Sequence, residues 1–115
     1  MSEPYHPENS RVTPDKLSDF IRDQLDPDLT SVPGIGPAAI GILNDEGITT
    51  SYQLVGKFLS FKDKDIGAIE HVERFYQWLC ALKISAGHRA GTVHCLAEKL
   101  NIWYPGLYDA SAYNQ

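Results

Sequence analysis

Two short segments carry residue types at a spacing that can hold an anion. In Leu29-Thr-Ser-Val-Pro-Gly-Ile-Gly-Pro37, a Pro-Gly-x-Gly-Pro run stands directly before an alanine-containing apolar stretch. Gly34 and Gly36 are expected to form a tight turn at positive φ and carry no side chain to hold a phosphate away. Ile35, between them, is expected to pack inward as a peg. The N–H groups at Gly36 and at the start of the following helix then face outward, and the helix dipole strengthens their attraction for an anion. A contact made through backbone alone positions a duplex without reading its sequence. The same run also reads as a plain interhelical turn, since the stretch Ala38 to Glu46 has no Lys or Arg and ends in Asp45-Glu46.

The second segment is Ser85-Ala-Gly87-His88-Arg89, a helix start that pairs free N–H groups with an imidazole and a guanidinium. Its plainer reading is a capped helix with solvated His88 and Arg89, and Lys16, taken alone, is a surface lysine. No catalytic constellation is present: there is no nucleophile–base spacing, no P-loop or kinase glycine pattern and no paired-carboxylate signature. His71, Cys80, His88, His94 and Cys95 have no zinc-finger spacing, so neither a metal nor any other cofactor is expected. A base-flipping glycosylase needs a second helical lobe, for which 115 residues leave no room.

The elements that must position these segments are helical. Thr13 can cap a first helix with Pro14 at its first position, followed by Leu17, Phe20, Ile21 and Leu25 at helical spacing and stopped at Asp26-Pro27-Asp28. Ala38 to Glu46 forms a helix with Gly47 as its stop. With the short apolar turn Leu29 to Val32 before it, this stretch has the form of a helix-hairpin-helix. Thr50 and Gln53 form a capping box for a helix through Tyr52, Leu54, Val55, Phe58 and Leu59. Val72, Phe75, Tyr76, Leu79 and Leu82 mark the apolar stripe of a long helix, and Val93, Leu96, Ala97 and Leu100 that of a last one. Nothing alternates with period two. The expected fold is all-α, a compact bundle of about five helices. Residues 1–12 read as a flexible arm, 13–101 as the domain, and 102–115 as an aromatic tail with Trp103, Tyr104, Tyr108 and Tyr113.

The chain carries 10 basic and 15 acidic residues, which argues against a partner held by bulk charge. The acid is concentrated at the front: residues 1–30 hold 3 basic and 7 acidic groups, whereas residues 31–115 hold 7 and 8. No apolar run reaches the ~18 residues of a membrane span, and Met1 to Ser10 lacks the apolar stretch of a signal peptide, so neither insertion nor export is expected. Two cysteines are too few for a disulfide framework, and a reducing compartment is expected. Gly56, within the large apolar face of Tyr52, Val55 and Leu59, invites the close approach of another helix and hence a homodimer.

Taken in order, Lys16, Asp19-Phe20, Gly34-Ile35-Gly36, Gly47, Tyr52, Gly56-x-Phe58-Leu59, Phe75-x-x-Trp78-Leu79 and the capped last helix resemble the barrier-to-autointegration factor family from about Thr13 to Leu100. The main difference is an insertion near Lys64 to Glu70. The resemblance implies a small helical homodimer that binds double-stranded DNA without sequence preference, one duplex per subunit, and so bridges DNA. It also implies LEM-domain partners, a part in nuclear and chromatin organisation, and residence in nucleus and cytoplasm. By the same resemblance, Gly34 to Pro37 with Ala38 and Ala39 hold one phosphate strand, Gly87, His88 and Arg89 the other, Lys16 matches a DNA-contacting lysine, and Gly56 lies in the helix at the dimer axis. Thr13 falls in a segment that the family regulates by phosphorylation. The family's paired lysines beyond the hairpin are here Gly41 and Ile42, so a lower DNA affinity is expected. The alternative is an interaction protein that keeps the fold and dimer surface and binds DNA weakly or not at all.

Overall fold

The computed structural model describes residues 3–113. Its helices are α1 (Pro14–Arg22), α2 (Pro37–Asp45), α3 (Ser51–Ser60), α4 (Ala68–Ala81) and α5 (Ala86–Trp103), with single 3₁₀ turns at Pro7–Asn9, Leu29–Ser31 and Ala110–Tyr113. There is no strand among the described residues. The starts of α1, α3 and α5 are capped where the sequence places a capping side chain. Thr13 accepts the Lys16 N–H at 3.3 Å, with Pro14 in the first turn. Thr50 and Gln53 exchange backbone-to-side-chain bonds, each 3.2 Å, and the Thr49 N–H adds a third to Gln53 at 2.6 Å. Ser85 accepts the Gly87 N–H at 3.3 Å.

The middle of α5 forms the axis of the molecule. From Ala90 to Leu100 only His94 and Glu98 are not buried, the signature of a helix covered on all sides. Onto it α4 lays Val72, Phe75, Tyr76 and Leu79, while Phe58 of α3 meets Phe75 edge-to-face with ring centroids 5.0 Å apart. Val32, Ile35 and Leu43 close the core from the hairpin side. His71 is fully buried, with Nε2 2.8 Å from the Phe58 carbonyl, which fits a neutral ring donating that bond. Desolvation holds its pKa below the ordinary histidine value, so stability declines as pH falls from ~6.5 and the ring is forced to charge.

Three local expectations need correction. First, α1 stops at Arg22, not near Leu25. The reason is Lys99 of α5, 3% exposed, whose Nζ donates to the carbonyls of Phe20 (2.6 Å), Ile21 (3.3 Å) and Asp23. Those acceptors at and just past the helix end are satisfied by a tertiary cation instead of another helical turn. Second, α4 stops at Ala81, just before Leu82, the last residue of the expected stripe: Lys83 takes φ 65° and its N–H bonds the Cys80 carbonyl at 2.9 Å, while Ile84 reaches back to Leu79.

Third, within the segments read as an arm and a tail, the described residues 3–12 and 102–113 pack in part against the helices. Met1, Ser2, Asn114 and Gln115 lie outside the described residues. Between them, α5 runs on through Trp103, and Tyr5, Leu107 and Tyr108 join the core. A single large aromatic in an otherwise polar segment buries enough apolar surface, on the order of 2 kcal/mol, to tie that segment down.

Candidate nucleic-acid interface

One open cleft of about 810 Å³ is lined by Arg11, Lys16, Gly34, Ile35, Gly36, Gly87 and His88, together with Asp19, Asp23 and Asp26. The first turn of α1, the hairpin and the start of α5 thus share one surface. The hairpin is seated on α5 by Thr92, whose hydroxyl donates to the Pro33 carbonyl at 2.8 Å. Gly34 sits at φ 90°, and a Cβ there would overlap Thr92 Oγ1 and lie 2.7 Å from the His88 carbonyl. Its glycine is therefore required by the fold. Gly36 does not share that need: its φ is −110°, and a Cβ there would meet nothing within 4 Å. The positive φ expected at both glycines belongs to Gly34 alone, because only Gly34 makes the turn.

Ile35 is the buried peg, 6% exposed, so it can offer a ligand no side chain. Ala39 also faces the core, and Ala38 is exposed. At the start of α2, Gly36 provides no side-chain cap and Pro37 has no N–H, which leaves the Ala38 and Ala39 N–H groups without partners inside the helix. The start of α5 is different. Ser85 already takes the Gly87 N–H, and its carbonyl takes those of His88 and Arg89 at 3.0 and 3.1 Å.

Arg89 does not line the cleft. Its Nε donates to the Tyr76 hydroxyl at 3.2 Å, its Nη1 to the Ile84 carbonyl at 3.1 Å, and the guanidinium lies 5.4 Å from the Tyr76 ring centroid. The hydrogen bond to Tyr76 raises its pKa further. Arg89, read as solvated beside His88, instead donates to acceptors on α4 and on the chain before α5. The cation that does reach the cleft with Lys16 is Arg11. Sequence reading missed it because it falls in the segment taken as an arm. A signal did exist in Gly91, a mid-helix glycine where a Cβ would lie 2.8 Å from Val12 Cγ2, marking the approach of another segment.

The acidic lining is partly neutralised. Asp19 pairs with Arg22 at 2.6 Å and Asp23 with the same guanidinium at 3.5 Å, both on exposed side chains. Such pairs are worth ~0–1 kcal/mol. Around a second groove, of about 510 Å³, stand Ile21, Leu25, Tyr52, Val55 and Trp103. Tyr52 is 56% exposed, Gly56 is exposed with open space where a Cβ would go, and Leu59 is half-buried. Val55, expected on the dimer face, is buried within its own chain at 8% exposure.

No group of three or more His, Cys, Asp or Glu side chains among the described residues could hold a metal ion. Burial pushes the Cys95 thiol up to about 12, which makes it inert, and both cysteines are unpaired. Among the described residues, no helix is long and apolar enough to cross a membrane. A family model described as Barrier to autointegration factor matches residues 11–102. No curated protein and no solved structure matches the chain.

Proposed function

The chain belongs to the barrier-to-autointegration factor family, and from that premise we propose that it binds duplex DNA without sequence preference, as a homodimer that bridges two duplexes. The observation that carries this reading is the single cleft that joins the bare amide groups of the hairpin, the start of α5 at Gly87 and His88, and Lys16. One phosphate strand lies on Gly34 to Ala39 and the other against α5. Backbone donors position the duplex and read no bases. The role is structural rather than enzymatic and belongs to chromatin and nuclear organisation, in nucleus and cytoplasm, with LEM-domain proteins as further partners. The dimer forms through the exposed face of α3 at Tyr52, Gly56 and Leu59, beside the exposed Trp103.

The test is a salt series of binding to random-sequence duplex. Lys16 and Arg11 neutralise few phosphates, so the log–log slope is expected to be shallow, ~0.9 for each phosphate neutralised. A slope steep enough for many ion pairs, or preference for one sequence over shuffled competitors, points to another surface. Light scattering should show a dimer for the wild type and a monomer for Gly56→Glu. A second reading is favoured by the carboxylates of Asp19, Asp23 and Asp26 in the cleft and by Gly41 and Ile42 in place of lysines. It is an interaction protein that dimerises and binds DNA weakly or not at all, and a wild type that fails to bind at low salt would establish it.

A further inference from the structure

Outside the residues that the family model covers, the two ends of the chain meet. The Tyr5 hydroxyl lies 3.0 Å from that of Tyr108, and its ring stands edge-on to Tyr76, Tyr108 and Tyr113 with centroids 5.7, 6.5 and 5.4 Å away. The Tyr5 N–H donates to Glu73 at 2.9 Å, and His6 Nε2 is 3.1 Å from the Tyr113 carbonyl. From this clasp the turn Pro7–Asn9 leads the chain along α5, where Val12 passes against Gly91. Arg11 is thereby placed beside Gly87, so near that a Cβ on residue 87 would lie 3.1 Å from its Nη1. No carboxylate among the described residues pairs with it.

We infer that Arg11 is a phosphate-contacting residue of the cleft and that the clasp of the two chain ends positions it, so that the C-terminal tail sets DNA affinity without touching DNA. The inference rests on the duplex-binding reading above. With no Lys or Arg on α2, the cleft needs a cation from elsewhere, and a guanidinium fork matches two phosphate oxygens. An arginine on a loose arm would give up backbone freedom each time it bound; one already held by buried tyrosines does not. Tyr5, Tyr108 and Tyr113 act through Arg11 and are positioning residues.

The experiment measures binding of the full chain to random-sequence duplex over a salt series, for wild type, Arg11→Gln, Tyr113→Ala, the double variant and Gly36→Glu. Arg11→Gln is expected to weaken binding about fivefold and to lower the salt slope by ~0.9. Tyr113→Ala, at the half-buried edge of the clasp, is expected to weaken binding about threefold and to add nothing once Arg11 is gone. A purely structural role for Tyr113 would instead carry its loss into the Arg11→Gln background, and that additivity overturns the positioning claim. If Tyr113→Ala loses its helical circular dichroism, His6→Ala replaces it. Arg11→Gln with wild-type affinity and slope overturns the inference, while a loss in Gly36→Glu in the same series keeps the cleft. Absence of binding by the wild type removes both.

Discussion

The two helix starts that face the cleft are built in opposite ways. At α2 the backbone is bare: no side chain caps it, and no cation lies on the helix. At α5 the backbone is largely occupied by Ser85, while charge is at hand in Arg11 and Lys16 across the cleft. One end offers oriented amides that salt screens little, and the other offers cations whose pull is screened over ~8–10 Å. The difference teaches that a pair of similar-looking helix starts can offer an anion different donors, backbone amides at one and side-chain cations at the other.

Five substitutions break or sharpen this contrast. The largest effect is expected at Gly34→Ala, where positive φ and the overlap with Thr92 and the His88 carbonyl act together. Stability should fall by at least ~2 kcal/mol in a denaturant titration, whereas Gly36→Ala should stay within ~0.5 kcal/mol. Equal losses at the two glycines would mean that the hairpin is strained throughout.

Arg89→Ala comes next, because it leaves Tyr76 and the Ile84 carbonyl without their donor. A loss of ~1.5 kcal/mol is expected in the same titration. DNA binding by the folded variant should change less than with Arg11→Gln, and the reverse order would return Arg89 to the cleft.

Gly36→Glu sets a carboxylate before the bare amides without backbone strain. Binding to random duplex should weaken at least ~10-fold, equivalent to ~1.4 kcal/mol, with helical circular dichroism unchanged. Unaltered binding would place the duplex elsewhere. The smallest effect is expected from Ser85→Ala, which removes the α5 cap and frees the Gly87 N–H: stability should drop by ~0.5–1 kcal/mol while DNA affinity does not fall. A fall in affinity would show that Ser85 itself contacts the ligand.

Much of the site was legible because it is local. The hairpin glycines, the Ile35 peg and the cap at Ser85 each depend on neighbours within a few residues, and the structure has the peg and the cap where the sequence put them. The assignment of positive φ to Gly36 failed for a local reason too: Gly-x-Gly does not say which glycine makes the turn. The bonds of Arg89 and the place of Arg11 were not legible because a long side chain on a helix start or an irregular polar segment can reach several acceptors, and its choice depends on what packs nearby.

By itself, the sequence determined the helices, their caps and the apolar stripes, since these follow from propensity and from interactions three or four residues apart. Only the tertiary structure decided that Lys99 ends α1 across 79 residues of chain to Phe20, and that Tyr5 joins Tyr108 across 103. It also decided that Arg11 stands in the cleft while Arg89 stands outside it. These contacts form only when distant segments are already packed together, and no local pattern of residue types encodes which buried acceptor a given cation or hydroxyl will find.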